Sequence, residues 1–271
     1  MKYLFTARNE LGRVLGKKNI FLFLDYDGTL APIADKPGKA FLPKETKKLL
    51  TSLVEVPNCK IAIISGRSLK DVKNKVGIKN IIYAGNHGLE VEGSKIKLKK
   101  QINQESLVIL KSIKAELAKK LSEIQGVFVE DKGLTLSLHY RLADKKYIPE
   151  VKAIFHKIII SHLANDRIRI KSGKMVFEVR PSINWDKGKI VLWLLARERL
   201  ANKNNNILPV YVGDDVTDED AFRVLRNKGI TVFVGLSKKS SAEYYLKSTQ
   251  EVTKLLEKIL EHHNKSKQCM N

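Results

Sequence analysis

Five short apolar runs, separated by stretches with helical spacing, constrain the fold of this chain more than any other feature. They are IFLFL (Ile20–Leu24), KIAII (Lys60–Ile64), IIYA (Ile81–Ala84), VYVG (Val210–Gly213) and TVFVG (Thr231–Gly235). A strand with one wet face alternates polar and apolar residues, whereas near-continuous apolar runs of this length read as strands covered on both faces. Between them the spacing predicts helices over Pro43–Val56, over Leu69–Val76 with Ser68 as N-cap, over Asp186–Leu200 and over Thr217–Asn227. Such alternation implies an α/β fold with a doubly wound, Rossmann-like parallel sheet.

The middle of the chain follows another pattern. From about Gln104 to Arg180 it reads as a long amphipathic helix, a hairpin, a second helix and a second hairpin. In GLTLSLHYR, Leu134, Leu136, Leu138 and Tyr140 share one face, while Thr135, Ser137, His139 and Arg141 share the other. Met175, Phe177 and Val179 alternate in the same way with Lys174, Glu178 and Arg180, and EDKG and KSGK supply turns. We therefore expect a core built from residues 1–103 and 182–271, with an inserted α+β cap at 104–181. The tail HHNKSKQCMN is expected to fray.

Composition limits the function classes. The chain has 271 residues, 43% hydrophobic and 29% charged, enough to bury a core. No apolar run approaches the ~20 residues of a membrane helix, and the N-terminus is too polar for a signal peptide. Cys59 and Cys269 lack metal spacing and are not expected to pair, which points to a reducing, cytoplasmic setting. The net charge of +21, from 50 Lys+Arg against 29 Asp+Glu, raises nucleic acid as a partner. The lysines, however, are scattered over helix faces, no zinc-finger, basic-zipper or RNP-like pattern accompanies them, and a positive field equally suits an anionic small substrate. Neither a nucleic-acid nor a membrane partner is expected, and the chain is expected to act as a monomer.

In open α/β sheets ligands bind beyond the carboxyl ends of the strands. Four features fall there: Asp25 and Asp27 after the first strand, Ser65–Gly66–Arg67 after the second, Lys187 at a helix start, and GDDVTDED (Gly213–Asp220) after VYVG. Asp25, Asp27, Asp214 and Asp215 cannot converge without a compensating cation, because like charges at short range are costly in a partly buried site. All candidate ligands are oxygens and no His or Cys joins them, which favours Mg²⁺ over zinc. Mg²⁺ with carboxylates, a lysine and a serine is a set for phosphoryl transfer, and adjacent carboxyl groups suit covalent catalysis with a protonated leaving group.

These motifs resemble those of the haloacid dehalogenase superfamily. DYDGTLAPI, ISGRS, GNHGLE, LHYR, FEVRP and GDDVTDEDAF together resemble the trehalose-6-phosphate phosphatase family over nearly the whole chain. The resemblance implies a Mg²⁺-dependent hydrolysis of trehalose 6-phosphate to trehalose and phosphate. It implies Asp25 as nucleophile and Asp27 as general acid and base. Asp25, the main-chain carbonyl of Asp27 and Asp214 would hold Mg²⁺. Ser65 would bind a phosphate oxygen and Lys187 would neutralise charge; beside Ser65, Gly66 is a candidate substrate contact, and Arg67 reads equally as a substrate contact or as a bridge between two loops. Asp215 and Asp218 would orient Lys187 or water from behind. Glu130, Lys132 and Glu178 would bind the sugar, and His87 is a further candidate substrate contact. Another sugar-phosphate phosphatase with a similar cap, acting on sucrose phosphate or mannosyl-phosphoglycerate, is the alternative enzyme. A basic nucleic-acid-binding or regulatory protein on the same fold is the non-enzyme alternative; it requires a broken acid set, and here the set is intact.

Overall fold

The computed structural model describes residues 1–7, 12, 19–163, 166–202, 206–237 and 239–268. They form two compact units, Met1–Leu98 with Trp185–Asn271, and Lys99–Asn184. The chain opens with β1 (Lys2–Tyr3), β2 (Ile20–Leu24), α1 (Lys44–Val54), β3 (Cys59–Ile64), α2 (Leu69–Val76), β4 (Ile82–Gly85), β5 (Glu90–Gly93) and β6 (Ile96–Lys99). Next come α3 (Gln104–Lys120), β7 (Phe128–Asp131), β8 (Leu136–His139), α4 (Ile148–Leu163), β9 (Ile168–Gly173) and β10 (Val176–Pro181). It closes with α5 (Lys187–Asn202), β11 (Leu208–Gly213), α6 (Glu219–Leu225), β12 (Ile230–Val234), β13 (Tyr244–Leu246) and α7 (Thr249–Gln268).

The first unit is built on a nine-stranded sheet in the order β1-β13-β12-β11-β2-β3-β4-β5-β6. The pairs from β1 through β4 are parallel, and β5 adds to β4 antiparallel. Each of the five apolar runs is a strand of this parallel part, which is covered on both faces. Leu22, Leu24, Ile61, Ile63, Val210 and Val212 pack with Leu50 and Leu53 of α1, Val72 and Val76 of α2, and Val252 and Leu255 of α7. The alternate residues Phe21, Phe23, Ala62, Ile64 and Tyr211 pack with Ile190 and Leu194 of α5 and Phe222 of α6. The chain leaves β2 toward β3 on one side and returns to β11 on the other, so the strand order reverses between β2 and β11. Ligand sites of open sheets form at such a point.

Helix ends differ from the sequence expectation by a few residues, for local reasons. Pro43 is extended (φ −57°, ψ 141°), so α1 starts at Lys44. Thr217 and Asp218 belong to the turn before α6, which ends where Arg226 becomes extended (φ −51°, ψ 128°). Ser68 caps α2 as expected, its hydroxyl accepting from Asp71 N at 3.2 Å. α7 continues through the tail to Gln268, and the last three residues of the tail lie outside the described residues. Cys59 is buried, and Cys269 lies outside the described residues. No described helix is long and apolar enough to cross a membrane.

The second unit is an antiparallel sheet, β7-β8-β10-β9, with α3 and α4 on one face. Leu136, Leu138, Phe177 and Val179 face Leu110, Ile113 and Leu117 of α3 and Val151 and Phe155 of α4. The opposite face carries a row across three strands, in which Glu130 pairs with Ser137 and Ser137 with Glu178.

Candidate active site

Asp25 stands at the carboxyl end of β2, where its amide donates to Val212 O at 2.9 Å and extends the pairing with β11 by one residue. The chain then turns sharply. Tyr26 O accepts from Leu30 N at 3.0 Å and Ala31 N at 2.8 Å, and Gly28 N donates to Ala31 O at 2.7 Å. Gly28 adopts φ +84°, and a Cβ there would stand 2.2 Å from Asp214 Oδ2. The glycine after DYD is therefore required twice, once by the backbone and once by the carboxylate lying against it.

Lys187, the first residue of α5, is 2% exposed and joins the two ends of the acid pattern. Its Nζ donates to Asp25 Oδ1 at 2.6 Å and to Asp218 Oδ1 at 2.7 Å. Asp218 is fully buried, and its two oxygens accept four hydrogen bonds. Oδ1 takes Lys187 Nζ and Tyr211 OH, the latter at 2.6 Å, and Oδ2 takes Asp214 N at 3.1 Å and Asp215 N at 3.0 Å. Gly213 leaves room for this, since a Cβ there would meet Asp218 Cγ at 2.3 Å. Of the two acids expected behind Lys187, Asp218 reaches it; Asp215 is half-buried and its Oδ1 accepts from Val216 N at 2.7 Å.

One oxygen each of Asp25, Asp214 and Asp218 lies within 4.8 Å of the others, and all three residues are buried. Burial pushes the Asp25 carboxyl well above the usual carboxylate range; Asp218 and Asp214 add to this and Lys187 opposes it. Burial acts to lower the Lys187 ammonium, but Asp218 and Asp25 outweigh it and hold the group charged above its ordinary value. Three buried carboxyl groups thus lie together, two of them on Lys187, and an all-oxygen donor set of this kind fits a hard divalent cation. Because Asp218 already accepts four donors, Asp25 and Asp214 are the carboxylates suited to such an ion.

The second strand's segment lies beside these residues in the sheet order. Ser65 is 1% exposed and its Oγ accepts from Arg67 N at 3.1 Å. Arg67, a candidate for the substrate or for a bridge between loops, makes four side-chain hydrogen bonds within the chain and so bridges them. Nε and Nη2 form a fork on Asp27 Oδ2 and Oδ1, both at 2.7 Å; Nη1 reaches Asp71 Oδ2 at 2.6 Å and Nη2 also reaches Pro37 O at 2.8 Å. Asp27 is therefore held by Arg67 and does not join the carboxylates around Lys187. The imidazole of His87 lies against Gly66, 2.6 Å from where a Cβ would stand. His87 has φ +57°, between Asn86 at +49° and Gly88 at +94°, and two consecutive non-glycine residues in the left-handed region mark a strained turn.

In the second unit, Glu130 Oε2 and His139 Nε2 share a hydrogen bond of 2.8 Å, and the His139 ring stacks on Phe128 at 4.7 Å. Glu178 Oε1 lies 3.6 Å from Lys132 Nζ, and its Oε2 accepts from Arg180. Glu130, Lys132 and Glu178 thus share one polar face of the inserted sheet. Tyr211 is the residue that the motif pattern does not reveal. Its signal in the sequence is a hydroxyl inside an otherwise apolar strand, where it needs a buried partner.

The chain is 35% identical over 270 residues to trehalose-phosphate phosphatase B of Arabidopsis thaliana, covering 95% of this chain and 71% of that protein. Its fold is similar to the C-terminal domain of trehalose-6-phosphate phosphatase from C. albicans, with a TM-score of 0.82, 25% identity, and 96% and 98% of the two chains covered. A haloacid dehalogenase-like hydrolase from Bacteroides thetaiotaomicron shares the fold at 15% identity, with a TM-score of 0.61 and 89% and 100% of the two chains covered. The sequence profile of trehalose-phosphatase matches residues 23–250, from within β2 to the start of α7, and on that match and the Arabidopsis identity the chain belongs to the trehalose-phosphatase family.

Proposed function

We propose that the protein hydrolyses trehalose 6-phosphate to trehalose and phosphate through an aspartyl phosphate on Asp25. The observation that carries this reading is the buried Asp25–Lys187–Asp218 chain at the β2/β11 switch point, in a member of this family. A carboxylate oxygen of Asp25 attacks phosphorus, and the bond from phosphorus to the sugar oxygen breaks. Asp27 gives that oxygen a proton. Asp27 then takes a proton from the water that attacks phosphorus, which releases phosphate and regenerates Asp25. Lys187 offsets charge on Asp25 as the phosphoryl group approaches, and Ser65 donates to a phosphoryl oxygen. Arg67 holds Asp27 by its fork, and Asp27 must loosen from it to present an oxygen to the leaving group and to water.

Asp25, Asp214 and the main-chain carbonyl of Asp27 are assigned to Mg²⁺. When bound, the ion supplies positive charge to the phosphoryl oxygens and relieves the repulsion between the carboxylates. Chelation is expected to abolish phosphate release, and added Mg²⁺ to restore it better than Ca²⁺, which takes more ligands at longer distances. Full activity in excess chelator would remove the cation from the reading.

Sugar recognition is assigned to Glu130, Lys132 and Glu178 of the inserted unit. A carboxylate accepts hydrogen bonds from neighbouring hydroxyls, and Lys132 adds a donor. Hydrogen bonds to charged groups are worth about 1.5–3 kcal/mol. Alanine at any of the three is therefore expected to lower kcat/KM on trehalose 6-phosphate roughly ten- to a hundred-fold. Turnover of a small aryl phosphate should stay nearly unchanged; equal loss on both substrates would instead place the effect in folding. The decisive test of the substrate is phosphate release across a panel of sugar phosphates. Trehalose 6-phosphate is expected to lead it, and preference for sucrose phosphate or mannosyl-phosphoglycerate would overturn the assignment.

A further inference from the structure

We propose that Tyr211 is a positioning residue for phosphoryl transfer, acting through Asp218 on Lys187. The proposal deepens the phosphatase reading and rests on it. Tyr211 lies inside β11 with its ring fully buried against Phe222, edge to face at 5.6 Å and 89°. Packing alone would be served as well by phenylalanine, whose ring is the same. The hydroxyl is what distinguishes tyrosine, and it is placed on one atom, Asp218 Oδ1, at 2.6 Å. That atom is also the one that accepts Lys187 Nζ at 2.7 Å.

Asp218 thus collects donors from three parts of the fold: the strand through Tyr211, the helix through Lys187, and the strand-end loop through the amides of Asp214 and Asp215. The loop amides fix Oδ2. Among the described residues only Tyr211 and Lys187 bind Oδ1, so without the hydroxyl the lysine is the one donor left on that oxygen. The lysine would then be drawn toward Asp218, which would lack its second donor, and away from Asp25. Tyr211 both fixes the oxygen and satisfies part of its negative charge, leaving Lys187 shared with Asp25. Burial and the neighbouring Asp218 push the phenol well above its ordinary value, so it remains a donor.

Tyr211→Phe isolates the hydroxyl. The variant is expected to lose roughly ten-fold or more in kcat on both trehalose 6-phosphate and an aryl phosphate, the size of one hydrogen bond to a charged group. KM on both substrates should change by less than about two-fold, because Tyr211 touches neither. In an Asp218→Asn background the same change should have almost no further effect, since the route through Asp218 is already broken. A Tyr211→Phe protein with kcat near that of the parent overturns the proposal. So does a loss that adds in full to that of Asp218→Asn, or one that follows a matching fall in folded fraction by circular dichroism. The aryl-phosphate arm tests Tyr211 whichever sugar the enzyme prefers, so failure of the trehalose assignment and failure of this proposal give different results.

Discussion

Asp25→Asn is expected to end phosphate release, by roughly a thousand-fold or more, in a protein that folds normally. Asparagine keeps the shape of the side chain, and burial already pushes the Asp25 carboxyl up, so a neutral group costs little there. Lys187 retains Asp218 as its partner. What disappears is the carboxylate oxygen that must attack phosphorus. The neighbouring acids have other tasks: Asp218 is filled by four donors, Asp27 is held by Arg67, and Asp214 is assigned to the cation. Acid quenching during turnover of labelled substrate should trap protein-bound phosphate on the parent and none on the variant. Appreciable turnover by a cleanly folded Asp25→Asn protein would exclude the aspartyl phosphate.

Much of this site is legible in the sequence because its chemistry sits at strand ends. An apolar run that stops on two acids marks both the strand and the site, and IFLFL followed by DYDGT does so at β2. Lys187 is legible because it opens a stretch in which Ile190, Trp193, Leu194 and Arg197 fall at helical spacing. The partners of Arg67 are not legible. Asp27 lies 40 residues away and Asp71 four, and nothing in ISGRS chooses between them and a substrate phosphate. Tyr211 stays hidden for a related reason, since its hydroxyl meets Asp218 through a turn whose path depends on Gly213. In the fold, β5 (EVEG) and β6 (IKLK) are four residues each, too short and too charged to stand out as strands, yet they extend the sheet at one edge. β13 (YYL) extends it near the other, at three residues.

Lys187→Met is expected to separate charge balance from chemistry. The ammonium is 2% exposed and is the direct partner of two buried carboxylates. Removing one member of a buried ion pair typically costs about 3–5 kcal/mol, because the other charge remains buried without compensation. Methionine fills most of the volume, so the loss reports charge and not a cavity. Urea unfolding without divalent cation should show a fall of this order together with loss of turnover. Two additions should restore stability and leave activity absent. Mg²⁺ should stabilise the variant more than the parent, since it supplies the positive charge that the lysine gave. Asp218→Asn in the same chain should also recover stability, by removing one of the stranded charges. If Lys187→Met is as stable as the parent, the carboxylates are not charged in the absence of the ion, and the compensation that we assign to Lys187 is wrong. If instead Asp218→Asn restores turnover along with stability, Lys187 balances charge only and has no part in phosphoryl transfer.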